Sequence, residues 1–324
     1  MLEPEIAAFV AAVDTWYPAD AASRSPDAQR RLYDRFAAAW TPSALPAGVV
    51  QHDAVWHAPD GRAIALRRYG PADREARGTV LFFHGGGFVV GSLDSHASIT
   101  AQLAADTGLA VIAVDYRLAP EHRAPAALED CLAVTRAARD GRLPFGPCVR
   151  PLTLAGDSAG GNLAAAVATA LRDAGEGGLD GIALVYPALG IEPQSPARET
   201  EAHAPMLTLD DVHRYRALYW NGRFEDDDAA FDALLNHDPL LRASVPLAAK
   251  RFDGLPPVLA IGVEHDPLRD DARVYVERIV AAGGPARYWM GAGLVHGCWR
   301  ALATSPQAAR MHRLVGEFLL APRA

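Results

Sequence analysis

The chain has 324 residues, 50% of them hydrophobic and 22% charged, a balance that supplies a sizeable core and excludes a disordered or low-complexity chain. With 31 Lys and Arg against 39 Asp and Glu, the formal charge of -8 offers no broad attraction to a phosphate backbone, which excludes nucleic acid as a partner. No apolar run approaches the roughly 18 residues of a membrane span, and Cys131, Cys148 and Cys298 form neither a CxxC pair nor an even set, so neither a disulfide framework nor a thiolate metal site is expected.

The opening Met1, Leu2, Glu3, Pro4 and Glu5 is acidic where a secretory leader would be basic, and the expectation is a cytoplasmic protein. Leu2, Ile6, Phe9, Val10 and Val13 recur at three- and four-residue steps and predict an amphipathic helix. A second helix follows, with Ser25 as N-cap, Pro26 in its first turn, Tyr33, Phe36 and Trp40 on one face, and Pro42 as its stop. Val49 to His57 and Ile64 to Tyr69 flank the turn residues Pro59, Asp60 and Gly61, which reads as a β-hairpin.

From Thr79 the pattern changes to short apolar runs without alternation, each followed by a helical segment, as expected of parallel strands buried on both faces. The predicted strands are Val80 to Phe83, Ala110 to Val114, Leu152 to Ala155, Ile182 to Tyr186, Val258 to Val263 and Ala286 to Met290. Helices are predicted near Ala97 to Thr107, Ala124 to Arg139, Ala159 to Asp173, Asp270 to Ala282 and Gln307 to Leu320. With the hairpin this makes eight strands. The alternation breaks after Tyr186 for about seventy residues, an insertion long enough to be functional, in which Leu209 to Trp220 is periodic and Glu225 to Asp228 reads as a solvated acidic loop.

Gly156, Asp157, Ser158, Ala159 and Gly160 match G-x-S-x-G between a predicted strand and a predicted helix, the setting in which a tight turn lifts a serine hydroxyl above a sheet. His84 is followed by Gly85, Gly86 and Gly87 just after another strand, and three glycines in a row let the backbone approach a reacting group and aim N–H donors at it. A phosphate-binding loop fits poorly: no GxGxxG stands at a strand end and no Lys-Ser or Lys-Thr follows the glycines. A serine nucleophile needs a base and an orienting carboxylate, in this context in the order Ser, acid, His. His296 follows the last strand, between Gly291, Gly293 and Gly297, and Asp266 follows the strand before it. Glu264 and Asp238 are the rival acids, the first still near the strand and the second in the return leg of the insertion.

On His84 to Phe88, YRLAPEHRAPAALEDC at Tyr116 to Cys131, GDSAGGN at Gly156 to Asn162, LPPVLAIGVEHDPLRDD at Leu255 to Asp271, and His296 with Gly297, the chain resembles the hormone-sensitive lipase family of α/β-hydrolases, in its bacterial GDSAG-type esterase branch. The resemblance implies an α/β-hydrolase fold, with an eight-stranded, mostly parallel sheet, helices on both faces and a helical cap. It places the cap in residues 1–45 and in an insertion at about 190–240, and the catalytic domain in 46–324. It implies a triad of Ser158, Asp266 and His296, an oxyanion hole from the backbone of Gly85, Gly86, Gly87 and Ala159, and a small-molecule ester as substrate. That chemistry needs no metal or cofactor, and a homodimer is allowed. Amidases, formamidases and acyltransferases share the acyl-enzyme, and a ligand receptor on this fold loses the catalytic histidine, which this chain keeps. Ala124 and Cys298 depart from the aromatic residues usual at their places; Cys298 reads as packing, Asp157 as a structural hydrogen-bonding group, and Arg117 and Glu121 as a buried network that shapes their loop.

Overall fold

Strands made only of Val, Ile, Leu, Phe and other buried residues need cover on both faces, and the sheet is built around such strands. The structure, a computed structural model, describes residues 1–18, 20–190, 195–221 and 228–322. The strands are β1 (Val49–His57), β2 (Ala63–Pro71), β3 (Thr79–Phe83), β4 (Ala110–Asp115), β5 (Leu152–Asp157), β6 (Gly181–Val185), β7 (Val258–His265) and β8 (Ala286–Val295). They form one eight-stranded sheet in the order β1-β2-β4-β3-β5-β6-β7-β8. Only β2 runs against its neighbours β1 and β4; every other pair is parallel.

The helices are α1 (Pro4–Asp14), α2 (Pro26–Ala39), α3 (Ala97–Thr107), α4 (Ala126–Arg139), α5 (Ala159–Asp173), α6 (Pro196–Thr200), α7 (Leu209–Trp220), α8 (Asp228–His237), α9 (Pro239–Ala243), α10 (Arg269–Ala281) and α11 (Pro306–Leu320). Successive strand residues serve opposite faces. Leu81, Ile112, Leu154 and Leu184 pack with α4, α5 and α10, while Val80, Phe82, Val111 and Ile261 pack with α1, α3 and α11. Ser25 caps α2 by accepting from the Ala28 N–H, with Pro26 at the first helical position. Among the described residues no helix is long and apolar enough to cross a membrane.

After β3 the chain winds to one side, to β4, and then returns to the other side of β3, to β5. The order therefore reverses between β3 and β5, where the loops at the carboxyl ends diverge and leave a crevice. The His84 loop leaves one of these strands and Ser158 the other, so topology alone brings the two motifs side by side.

Two expectations needed correction. The strand predicted to end at Met290 continues through Gly291 and Gly293 to Val295, because β7 itself extends to His265 across a register shift and keeps β8 paired, with His265 opposite Val295. The Gly293 N–H donates to Glu264 Oε2 at 2.7 Å, which holds the two extended ends together. The insertion also contains more than the one helix α7: α6, α8 and α9 are too short for periodicity to separate from loop. The acidic patch of Glu225 to Asp228 lies outside the described residues, apart from the backbone of Asp228 at the start of α8.

Candidate active site

Ser158 stands between the last residue of β5 and the first of α5 with φ 54° and ψ -119°. A non-glycine residue at positive φ is strained by roughly 1–3 kcal/mol and persists only where its surroundings over-determine it. They do so here: the Ser158 N–H donates to Val185 O at 2.9 Å, and its carbonyl accepts from the Asn162 N–H at 3.0 Å. Gly160 explains the small residue two places on, since a Cβ there would lie 1.8 Å from Phe83 O. Asn162 ties the turn to the insertion by donating from Nδ2 to Ala188 O at 2.7 Å and to Ser244 O at 3.1 Å.

His296 Nε2 lies 2.8 Å from Ser158 Oγ, and His296 Nδ1 lies 2.7 Å from Asp266 Oδ2. Asp266 is fully buried, and its other oxygen accepts from the Leu268 N–H at 2.7 Å, so the carboxylate is fixed at both ends. A carboxylate accepts only, which places the imidazole proton on Nδ1 and turns the Nε2 lone pair toward the serine hydroxyl. The ring of Tyr186, itself at φ 35°, backs the imidazole at 4.7 Å between centroids. Of the rival acids, Glu264 is taken by the Gly293 N–H, and Asp238 caps α9 by accepting from the N–H groups of Leu240 and Leu241. Neither reaches His296.

The glycine loop divides in its roles. The Gly85 N–H donates to Asp157 Oδ1 at 2.9 Å, so it is not a free donor, contrary to its sequence-based expectation. The N–H groups of Gly86, Gly87 and Ala159 have no acceptor among the described residues. Asp157 also lies 3.3 Å from His96 Nε2, and its side chain is a structural acceptor under the loop. Below it, the buried Arg300 donates to Tyr33 Oη at 2.9 Å and to the Ser95 carbonyl, bridging α2 to the loop before α3. Burial, with His96 beside it, holds the His84 imidazole down to about 3, so His84 is neutral; its Nδ1 lies 2.8 Å from Gly85 O and its ring stacks on Tyr116 at 4.3 Å.

A cavity of about 450 Å³ lies over Ser158 and His296, walled by Tyr17 and Tyr33 from the N-terminal segment and by Leu207 and Tyr215 from the insertion. Cys298 is buried and burial pushes its thiol up, as a packing residue requires. Arg117 joins the buried Asp130 through both its N–H and its Nε, at 3.0 and 2.8 Å. Glu121 is exposed rather than buried and pairs with Arg30 of α2 at 2.6 Å. The contributions of Tyr186, His96 and Arg300 were not read from the sequence, since each depends on contacts between distant segments and carries no local pattern.

A family profile described as the alpha/beta hydrolase fold matches residues 80–300. Esterase LipI of Mycobacterium tuberculosis is 37% identical over 243 residues, covering 74% of this chain and 72% of LipI. The acetyl esterase of Salmonella choleraesuis is 33% identical over 235 residues, covering 72% and 68%. Among solved structures, an ester hydrolase from the metagenome of Lake Arreo superposes with a TM-score of 0.86 at 31% identity over 99% of both chains. The reversal of strand order between the two motifs and the similarity along two thirds of the sequence have one reading: the chain belongs to the α/β-hydrolase fold family, in its hormone-sensitive lipase branch.

Proposed function

We propose that this protein is a serine carboxylesterase that hydrolyses short-chain esters through an acyl-enzyme on Ser158, with Asp266 and His296 completing its triad. The observation that carries the reading is the continuous path from Asp266 through His296 to Ser158, at 2.7 and 2.8 Å, beside the unengaged N–H groups of Gly86, Gly87 and Ala159. As Ser158 Oγ attacks the ester carbonyl, its proton passes to His296 Nε2, and Asp266 holds the imidazolium. The carbonyl oxygen becomes an oxyanion, for which the three unengaged N–H groups are the donors in this reading. Collapse expels the alkoxide, which takes the proton from Nε2; water then repeats the sequence on the acyl-enzyme with the same base and frees Ser158.

In this reading residues 1–45 and the insertion at about 190–240 act as a cap over a catalytic domain of 46–324, and α1, α2 and α7 roof the cavity. A cavity of about 450 Å³ suits a small ester, and each methylene that fits contributes at most about 0.8 kcal/mol. The related proteins named as esterases support the ester over the amide as the bond cleaved. Three free cysteines, two of them buried, suit a reducing cytoplasm.

The test is a panel of p-nitrophenyl esters from acetate to palmitate, with an anilide and a formamide alongside. We expect the highest turnover at acyl chains of roughly two to six carbons, because longer chains must deform the roof. An organophosphate should label Ser158. A preference for palmitate over butyrate, faster cleavage of the anilide, or an adduct on another serine would overturn the reading.

A further inference from the structure

The loop that carries the free donors is anchored from two sides by different means. On the sheet side the anchors are hydrogen bonds. The Gly85 N–H donates to Asp157, the N–H groups of Val89 and Val90 return to Gly86 O at 3.0 and 2.9 Å, and Phe88 O accepts from the Ala119 N–H at 2.8 Å. The two bonds to Gly86 O close a turn over Gly87 and Phe88, while none of these bonds engages the Gly87 carbonyl. Gly87 and Phe88 stand at φ 59° and φ 63°, the left-handed region, where phenylalanine has no preference of its own.

What touches those two residues is α7. The ring of Tyr215 lies directly on Gly87, so closely that a Cβ there would come within 2.4 Å of it. The ring of Tyr219 stacks on Phe88 with centroids 3.9 Å apart and planes 8° from parallel. The two tyrosines are four residues apart, hence on one face of the helix. The end of α7 is itself fixed, because Tyr219 O accepts from the Ala124 N–H at 3.0 Å and Trp220 meets Tyr219 edge-on at 5.4 Å.

We infer that α7 sets the oxyanion hole as well as roofing the cavity: Tyr219, through its stack on Phe88, is a positioning residue that holds the Gly87 and Phe88 backbone so that the Gly86 and Gly87 N–H groups face the reacting carbonyl. The inference rests on the serine-esterase reading above. Its physical content is that the turn aiming the donors places Phe88 in the left-handed region, against that residue's own preference, and a side-chain stack from the insertion holds it there. Displacement of α7 then lowers transition-state stabilisation, because the donors turn away from the oxyanion while the substrate can still bind.

The experiment compares the full-length parent with Tyr219→Phe, Tyr219→Leu and Phe88→Leu, measuring kcat and KM on p-nitrophenyl butyrate and the Ki of an alkyl trifluoromethyl ketone. The ketone forms a hemiketal oxyanion on a reactive serine and so reports on the donors directly. Tyr219→Leu and Phe88→Leu should each lower kcat by about ten- to a hundredfold, less than the loss of a whole oxyanion donor, and raise Ki by a similar factor with KM within about threefold. Tyr219→Phe, which keeps the ring, should match the parent, and the double variant should lose no more than either single one.

Hydrogen exchange on the parent supplies a readout that needs no substitution. Ketone binding should protect the amides of residues 86–88 and the end of α7 together. A Tyr219→Leu or Phe88→Leu protein that keeps its kcat, a loss confined to KM, a Ki that stays put while kcat falls, or protection of 86–88 without α7 overturns the coupling. A parent that neither cleaves the ester nor binds the ketone refutes instead the serine-esterase reading.

Discussion

The turn at Ser158 and the roof above it do their work by opposite means. The turn is fixed by what is missing: Gly156 and Gly160 leave no room for a side chain against β3, and the backbone of Ser158 is bonded on both sides. The roof is fixed by what is added. Aromatic side chains of α1, α2 and α7 pack on one another and on the loop below, as Tyr219 does on Phe88 and Phe9 on Trp40. A turn held by steric exclusion has one conformation, whereas a layer held by side-chain contacts can shift by trading one contact for another. Chemistry that needs hydrogen-bond precision is therefore expected below, and selectivity above.

The sharpest test of that division is Ser158→Ala, which should leave a folded protein with ester hydrolysis reduced by roughly 10⁴-fold or more, since members of a triad act as a unit. A variant that keeps more than a hundredth of the parent's kcat/KM would move the chemistry away from the turn.

Next is a matched pair of carboxylates, one from each region. Asp266→Asn should cost on the order of 10³- to 10⁴-fold in kcat, because an amide at that position favours the wrong imidazole tautomer. Asp238→Asn should be nearly silent in activity and stability, since Asp238 caps α9 and asparagine caps a helix about as well. Steady-state kinetics on both, with circular dichroism to confirm folding, decides the matter; a larger loss at Asp238 would assign the acid to the roof.

The same division explains what was legible in the sequence. The hairpin follows from its turn residues, the buried strands from short apolar runs and α7 from its periodicity, and α3, α5 and α7 have the predicted bounds. Ser158 and His84 announce themselves because steric demands are written in neighbouring residues as glycine and alanine. What could not be read locally is of two kinds. Short helices such as α6 and α9 owe their form to caps and tertiary packing rather than to a repeat. The extension of β8 past Gly291 and the loss of Gly85 as a donor each depend on a partner far along the chain, Glu264 in one case and Asp157 in the other. A row of glycines shows that N–H groups can be presented, but which of them remain free depends on the fold.

A third prediction concerns the support beneath the glycine loop. With its imidazole held down to about 3 by burial and by His96, His84 stays neutral in the folded protein, whereas in the unfolded chain it takes a proton below about 6.5. The unfolded state therefore binds more protons between these values. His84 contributes stability that is fully present above about 6.5 and is lost as pH falls toward 3, at up to about 1.4 kcal/mol per pH unit. His96 and His312 are also lowered by burial, so His84→Gln should flatten the fall in melting temperature between pH 6.5 and 4 without abolishing it. An unchanged slope would mean that the loop opens to solvent before the rest of the protein unfolds.

The smallest effect separates the two kinds of contact within the roof itself. Arg30 of α2 donates from Nε to Val89 O at 2.8 Å and from Nη2 to Ala119 O at 2.9 Å, and it also pairs with the exposed Glu121. Of these Arg30 contacts, only the bond to Val89 O reaches the loop that carries Gly86 and Gly87. Exposed ion pairs contribute at most about 1 kcal/mol, while charge-assisted bonds from a half-buried guanidinium are worth about 1.5–3 kcal/mol each at most and leave carbonyls unpaired when removed. Arg30→Met, which keeps the apolar stem, should therefore lower stability by about 1–3 kcal/mol and alter the acyl-length profile, because α2 carries Tyr33 into the cavity. Glu121→Gln should change neither beyond about 0.5 kcal/mol. Denaturant melts and the ester panel on the two variants measure the difference. Equal effects would mean that the surface pair, and not the backbone carbonyls, seats the helix, and the roof would then be as sensitive to salt as its exposed charges.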